Sequence, residues 1–303
     1  MADVVVSEFM DRQAVERLEA ATSVLYDPDL ATDRARLLEA VGEARALVVR
    51  NRTQVDADVV AAAPALVVVG RLGVGLDNID LAACDVAGVA VRPAIGANAA
   101  AVAEHVVGAL FALARPALGA TDRILAGEWP RTEYVGQELA GRRLGLVGLG
   151  HTAREVARRA DALGMEVAGH DPITSPEGIP NLPLDELLAR SQAISVHVPL
   201  TEDTRGLLDA ARLALLPAGA WLVDTSRGGV VDHAAVGDAL RAGRLGGAAL
   251  DVFADEPPTE AQLAALAGSP NLILTPHVAG ITEESNRRIG TVVADAVLEA
   301  LGP

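Results

Sequence analysis

A chain of 303 residues with a formal charge of −16 and 2% aromatic side chains is ill suited to nucleic-acid backbones, anionic membranes or single-strand stacking. Its length suits two domains, and half of its residues are hydrophobic, mostly Ala, Val and Leu, so core material is ample. Cys84, the only cysteine, excludes an intrachain disulfide or a thiolate metal cluster and reads as a small buried helix residue.

The chain opens on MADVVVSEFM, which is acidic and lacks the basic-then-apolar shape of a signal peptide. No apolar run reaches the length of a membrane span, so the cytoplasm is the expected compartment. Val4–Val6 reads as a strand, followed by helices at Asp11–Ala20 and Asp33–Val41 with a strand at Ser23–Tyr26 between them. Ala46–Val49 is a buried strand ending in Arg50-Asn51-Arg52-Thr53, and Asp56–Ala62 is helical up to Pro64. Leu66–Val69 is a strand ending in Gly70-Arg71-Leu72-Gly73-Val74-Gly75, Asp77–Ala87 a helix and Val89–Val91 a strand. This alternation predicts a small parallel sheet with helices on both faces. Ala99–Arg115, almost without charge, predicts a helix buried between domains or subunits.

Leu144–Val147 is a short apolar strand that stops in Gly148-Leu149-Gly150-His151-Thr152-Ala153, and Arg154–Leu163 is helical. Strand, glycine turn and helix open a dinucleotide-binding unit. Gly148 permits the tight turn, Gly150 lets the backbone approach a pyrophosphate, and Ala153 holds the small position where helix and strand pack. The helix N-terminus offers free amides to the anion. Glu166–His170 ends in Asp171, 23 positions after Gly148, where a carboxylate accepts hydrogen bonds from an adenosine ribose. A glycine turn that binds nothing, and Asp171-Pro172 as a plain turn, are the bland alternatives; the spacing favours NAD. Later strands at Ala193–Val198, Ala220–Asp224, Gly247–Asp251 and Leu272–Thr275 end in polar or proline-marked loops, which a parallel sheet brings to one crevice. Thr282–Leu301 is an amphipathic helix that packs back on the first domain. The expected fold class is α/β, with two Rossmann-like, doubly wound parallel-sheet domains and a cleft between them. Residues 1–97 completed by 281–303 form an outer substrate-binding domain, and residues 98–280 form the NAD-binding one.

Three ionisable side chains fall on those strand-end loops: Arg227, Glu256 and His277. Reduction of a 2-oxo acid needs a guanidinium for the carboxylate, a histidine to protonate the carbonyl oxygen, and a carboxylate to orient the imidazole and favour its charged form. The three residues match those tasks in the order Arg227, His277, Glu256. Singly, each has a bland reading: a turn arginine, a solvated loop acid, a histidine capping the next helix. His105 reads as a core residue, His151 as a backbone contact, His197 as a neighbour of the adenine or nicotinamide, and His170 and His233 as structural. No histidine pair has metal-ligand spacing with a third ligand nearby, so no metal is expected.

The stretches RLGVGLDNID (71–80), AVAEHVVGALFALAR (101–115), GLGHTAREVA (148–157), HVPLTEDTRGLL (197–208), DTSRGGVVD (224–232), ALDVFADEP (249–257) and TPHVAG (275–280) resemble the D-2-hydroxyacid dehydrogenase family over essentially the whole chain. The resemblance implies that Arg227, Glu256 and His277 are catalytic, that the cofactor is NAD and that the enzyme is a homodimer. Where the family commonly has Arg-Ile in the glycine turn this chain has His151-Thr152, which leaves the pyrophosphate to backbone amides. Expected cofactor contacts are Val74, the turn residues Gly148, Gly150, His151 and Thr152, and Asp171. His197, Val198, Pro199 and Thr204 follow from the next loop, then Thr225, Ser226 and Arg227, then Asp251, and finally His277, Ala279 and Gly280.

VVRNRTQVD (48–56) and RLGVGLDNID are similar to the D-3-phosphoglycerate dehydrogenase branch and to the sulfolactate dehydrogenases. The first of these is the leading reading; sulfolactate dehydrogenase and glyoxylate/hydroxypyruvate reductase are the alternatives. The chain stops at Pro303, so serine feedback through a C-terminal regulatory domain is not expected. Arg50, Arg52 and Arg71, with the Gly73 and Val74 backbone, are expected to hold a second anion at the substrate's far end, phosphate or sulfonate. Arg131 matches a position that in phosphoglycerate dehydrogenases reaches the substrate of the partner subunit. The bland alternative pairs the three arginines with Asp56, Asp58 or Asp77. Two other classes stay open: a non-catalytic NAD-sensing protein and a methyltransferase using the glycine turn. No nucleic-acid or membrane partner is expected.

Overall fold

Aspartate starts many of the helices. In a computed structural model describing residues 2–302, Asp11, Asp33, Asp56, Asp80, Asp209 and Asp232 each accept an amide of the first helical turn, satisfying a donor that the helix leaves unpaired. In chain order the elements are β1 (Val4–Val6), α1 (Arg12–Glu19), β2 (Val24–Tyr26), α2 (Arg34–Val41), β3 (Ala46–Val49), α3 (Ala57–Ala62), β4 (Val68–Arg71), α4 (Leu81–Ala87) and β5 (Ala90–Pro93). Then come α5 (Ala99–Ala114), α6 (Thr121–Leu125), β6 (Arg143–Val147), α7 (His151–Ala162), β7 (Glu166–His170), α8 (Leu184–Arg190) and β8 (Ala193–Val196). The chain continues through α9 (Ala210–Leu213), β9 (Ala220–Asp224), α10 (His233–Arg241), β10 (Leu245–Leu250), α11 (Glu260–Leu266), β11 (Leu272–Leu274) and α12 (Glu283–Leu301).

The chain divides into two compact units. Unit 1 is the chain up to Asn98 together with the chain from Ile281; unit 2 is Ala99–Gly280. Each is built on a fully parallel sheet covered by helices on both faces, the doubly wound α/β architecture expected from the alternation.

In unit 1 the strand order is β2-β1-β3-β4-β5. Alternate strand residues face opposite helical layers, as the period of two requires. Val4, Val6, Val48 and Val68 pack with Val15 and Leu18 of α1 and with Ile289, Val293 and Val297 of α12. Val5, Leu47, Val49 and Val69 pack with Leu37, Val59 and Cys84 of α2, α3 and α4. Several boundaries differ from the sequence reading, and two have a clear local cause. The helix placed at Asp77–Ala87 begins only at Leu81, because Ile79 forms a bridge to Val55, with Val55 N donating to Asn78 O and Asp80 N to Val55 O, both at 2.8 Å. The strand placed at Leu66–Val69 is Val68–Arg71, because Leu66 is held in a turn by its N–H on Ala63 O.

In unit 2 the order is β11-β10-β9-β8-β6-β7. The apolar α5 lies within this unit against α7, and its Val106, Leu110 and Leu113 join Leu144, Leu146, Trp221 and Val223 of the sheet. The other face is covered by α8 to α11, through Leu187, Leu188, Leu213, Val236, Leu240 and Leu266. The order reverses between β6 and β8, so the glycine turn after β6 stands at the switch point where open α/β sheets bind ligands. No helix among the described residues is long and apolar enough to cross a membrane.

Candidate active site

The turn after β6 is shaped by close approach. Gly148 has φ +92°, and a Cβ there would lie 2.7 Å from His197 O, so only glycine fits. Helix α7 begins at once, at His151, with Gly150 as N-cap and no side-chain capping bond. Nothing stands within 4 Å of where a Gly150 Cβ would be. The start of α7 thus carries no side-chain cap, and the space beside Gly150 is open for the backbone to approach an anion. Ala153 is fully buried against the sheet.

Asp171 has a structural role that the sequence does not show. Its Oδ2 accepts Leu149 N at 2.9 Å, which clamps the glycine turn, and its Oδ1 accepts Ile173 N and Thr174 N, both at 2.8 Å. Burial pushes this carboxyl up, but the three N–H bonds outweigh it and hold it below the ordinary aspartate value. The group is an anion at neutral pH with lone pairs left for a ribose hydroxyl. These residues fit a dinucleotide with a free 2′-hydroxyl and oppose one with a 2′-phosphate.

At the ends of β9, β10 and β11 a second cluster forms. Asp251, 1% exposed, organises the turn carrying His277. Its Oδ1 accepts Thr275 Oγ1 at 2.5 Å and Val278 N at 2.9 Å, its Oδ2 accepts Ala279 N at 2.9 Å, and its carbonyl oxygen accepts His277 N at 2.8 Å. His277 sits there at φ +54°, in the left-handed region that few non-glycine residues adopt. Its Nδ1 lies 2.7 Å from Glu256 Oε2, and Glu256 Oε1 accepts Phe253 N at 3.2 Å, so the carboxylate is itself oriented. With Nδ1 bonded to the carboxylate, Nε2 is the ring nitrogen that this bond leaves unused. An apolar cavity of about 440 Å³ lined by Phe253, Leu263 and Leu274 adjoins this pair. The histidine does not cap the next helix; Thr282 does, in a capping box with Ser285.

Arg227 is half-buried, with Nη1 donating to Ser226 O at 2.7 Å. The loop it sits on meets the Phe253 loop so closely that a Cβ on Gly228 would lie 1.8 Å from Phe253 O. Below it, Asp224 is fully buried; its Oδ1 accepts Ser226 N at 2.9 Å and Ser226 Oγ at 2.6 Å, while its Oδ2 and the neighbouring Thr225 Oγ1 are buried with no protein partner. Burial pushes the Asp224 carboxyl up to about 6. Neither the burial of Asp224 nor the internal use of Asp251 is visible in a sequence pattern.

The remaining expected contacts take varied positions. His197 is half-buried, with Nε2 2.9 Å from Ser195 Oγ, and desolvation pushes it down to about 4, so it is neutral. Thr204 Oγ1 donates to Pro199 O at 2.6 Å and shapes the turn after Val198. His151 is exposed, Thr152 and Gly280 are half-buried, and Val74 is 42% exposed. His105 lies half-buried on α5, not in the core, because it shares the polar edge of that helix with Glu104. His170 is structural, its Nδ1 2.8 Å from Leu182 O, while His233 Nε2 is buried with no protein partner. Arg131 is exposed in the turn after Trp129.

In unit 1, Arg50 and Arg52 follow β3 and Arg71 ends β4, on adjacent strands. The bland pairing fails for Asp56 and Asp58, which pair with Arg34 at 2.6 and 3.8 Å. The Arg71 guanidinium folds over Gly73, where a Cβ would stand 1.5 Å from Nη1.

Residues 107–279 match the family "D-isomer specific 2-hydroxyacid dehydrogenase, NAD binding domain". The chain is 49% identical to the (S)-sulfolactate dehydrogenase of Chromohalobacter salexigens over 308 aligned positions, covering 100% of this chain and 99% of that one. It is 44% identical to the D-3-phosphoglycerate dehydrogenase of Mycobacterium tuberculosis over 274 positions, 89% of this chain but 51% of that one, so it spans about half the length of such relatives. A solved structure of a Thermus thermophilus protein superposes with a TM-score of 0.88 at 34% identity, covering 98% of this chain and 96% of that one. With the glycine turn, the ribose-side carboxylate and the oriented histidine on one sheet, these likenesses make the chain an NAD-binding oxidoreductase belonging to the D-isomer specific 2-hydroxyacid dehydrogenase family.

Proposed function

We propose that the substrate is a small 2-hydroxy acid bearing a second anion at its far end, and that a sulfonate of the sulfolactate kind suits it better than a phosphate. The single observation that carries the chemistry is the 2.7 Å contact between His277 Nδ1 and Glu256. Bound NAD(H) accepts or supplies the hydride. Arg227 holds the substrate carboxylate in bidentate fashion. In reduction His277 Nε2 delivers a proton to the carbonyl oxygen; in oxidation it takes one from the hydroxyl. Glu256 fixes the ring through its bond to Nδ1. Arg50, Arg52 and Arg71 are assigned to the far anion, in a protein whose charge of −16 makes three arginines at two strand ends unusual. Phosphoglycerate and sulfolactate both belong to this class of substrate; the full-length likeness to a sulfolactate dehydrogenase supports the sulfonate.

The test compares 3-sulfopyruvate, phosphohydroxypyruvate, hydroxypyruvate, glyoxylate and pyruvate at fixed NADH. A site built for two anions handles the short acids roughly a hundredfold less well in kcat/KM, because they forgo the charge-assisted bonds that a far anion makes. If glyoxylate or pyruvate equals the far-anion acids, and Arg71→Ala leaves the ranking unchanged, the enzyme is a simpler 2-oxo acid reductase.

Cofactor choice gives a second expected result. Asp171 places an anion where a 2′-phosphate would stand, and Pro172, Ile173 and Thr174 after it bring no cation. NADPH is expected to support a kcat/KM about a hundredfold below that of NADH, since a like-charge contact costs several kcal/mol. Equal use of the two cofactors contradicts this assignment. We further propose a homodimer, supported by the exposed apolar Leu118, Leu125, Trp129 and Val135 of unit 2.

A further inference from the structure

In unit 1 the strand order reverses between β1 and β3, so the loops after these strands flank the place where open α/β sheets take ligands. The chain fills part of that place itself. Glu8, 4% exposed, sits in the loop after β1. Its Oε1 accepts the N–H groups of Arg50 at 2.8 Å, Arg52 at 3.2 Å and Thr53 at 2.9 Å; its Oε2 accepts those of Asn51 at 3.3 Å and Arg52 at 3.1 Å. Four successive amides wrapped on one carboxylate form an anion nest whose occupant is an internal side chain.

The neighbours of Glu8 extend the arrangement. Ser7 Oγ lies 3.0 Å from Thr53 Oγ1, and Asn78 Nδ2 donates to Thr53 O at 2.7 Å, which ties the loop after β3 to the loop after β4. Phe9 carries the Arg50 guanidinium 5.9 Å above its ring. Burial holds the Arg50 guanidinium below its ordinary value, and the nearby charge of Glu8 offsets part of that effect.

A loop with four free amides would bind almost any anion through its backbone. With those amides taken, an incoming anion is met by side chains alone, and the loop that carries Arg50 and Arg52 is held in one shape. We infer that Glu8 is a positioning residue for far-anion specificity: it occupies the amide nest at the ends of β1 and β3 so that Arg50 and Arg52 are presented in a fixed arrangement. The inference rests on the far-anion reading proposed above.

Glu8→Gln tests it, because glutamine keeps the shape but turns an NH2 group toward amide donors. KM for 3-sulfopyruvate or phosphohydroxypyruvate is expected to rise roughly tenfold or more, the scale of losing charge-assisted bonds that hold a loop, with kcat within about threefold. KM for glyoxylate is expected to rise less than about threefold, as is the dissociation constant of NADH read by fluorescence. In an Arg50→Met/Arg52→Met background the same substitution should add less than about threefold, since nothing remains to be positioned. An unchanged KM for the far-anion acids, an equal rise for glyoxylate and NADH, or a full effect without the two arginines each overturns the inference. The two ideas fail differently. If the wild-type enzyme does not prefer far-anion acids, both fall; if it does and Glu8→Gln keeps the preference, only the role of Glu8 falls.

Discussion

His277→Ala is expected to lose turnover by roughly a thousandfold while NADH binding persists. A positioned acid or base contributes on the order of 10²–10⁴ in rate, and Nε2 of this histidine is the one ring nitrogen left for the substrate by the bond to Glu256. The backbone complicates alanine at this position, because φ is +54° and a residue with a Cβ and no polar side chain resists that conformation. His277→Asn is the cleaner variant, since asparagine tolerates left-handed geometry and cannot serve as the acid. Both are expected to show the same loss in kcat, with NADH dissociation constants within about threefold of wild type. Normal turnover in His277→Asn removes the histidine from the reaction. Glu256→Gln extends the test. Glutamine keeps the size of the side chain but not the charge-assisted bond that fixes the ring at 2.7 Å, so kcat is expected to fall by about tenfold or more with the NADH dissociation constant unchanged. An unchanged kcat would give the glutamate a purely structural place under Phe253 N.

Arg227→Gln is expected to lower kcat/KM by about a hundred- to a thousandfold, the cost of leaving a substrate carboxylate without its ionic partner. The informative comparison is Arg227→Lys. An ammonium keeps the charge but not the planar fork, so it is expected to recover no more than about tenfold of the loss. Lysine indistinguishable from arginine would mean that charge alone is used. NADH affinity is read alongside, because Arg227 is also an expected cofactor contact: a loss in kcat/KM with an unchanged NADH dissociation constant assigns the guanidinium to the substrate carboxylate.

The parts of this molecule legible in the sequence are those with a period or a fixed spacing. Val4–Val6, Glu166–His170 and Ala220–Asp224 fall where a run of apolar residues places a buried strand. Gly148, Gly150 and Asp171 are readable because a tight turn and an anion tolerate few residue types at set distances. Helices α8, α9, α10 and α11 fill the stretches between the legible strands, and the sequence reading gives them no bounds. Glu8 is hidden for a different reason. Its bonds reach amides 42 to 45 positions away, and a contact between a side chain and a distant backbone leaves no periodic trace. The same holds for the clamp from Asp171 to Leu149 and for the cage that Asp251 builds around His277.

The helix α12 has a consequence for synthesis. Unit 2 is one continuous stretch, whereas the core of unit 1 includes Ile289, Val293 and Val297, and Arg17 pairs with Asp295 across 278 residues of chain. A ribosome adding about 5–20 residues per second leaves one face of the first sheet covered by α1 alone for roughly ten seconds or more, until α12 emerges. The usual order, with N-terminal parts folding first, is reversed: the middle of the chain can complete itself while the beginning waits. During that interval the apolar face formed by Val4, Val6, Val48 and Val68 is the surface that a chaperone holding nascent chains would meet.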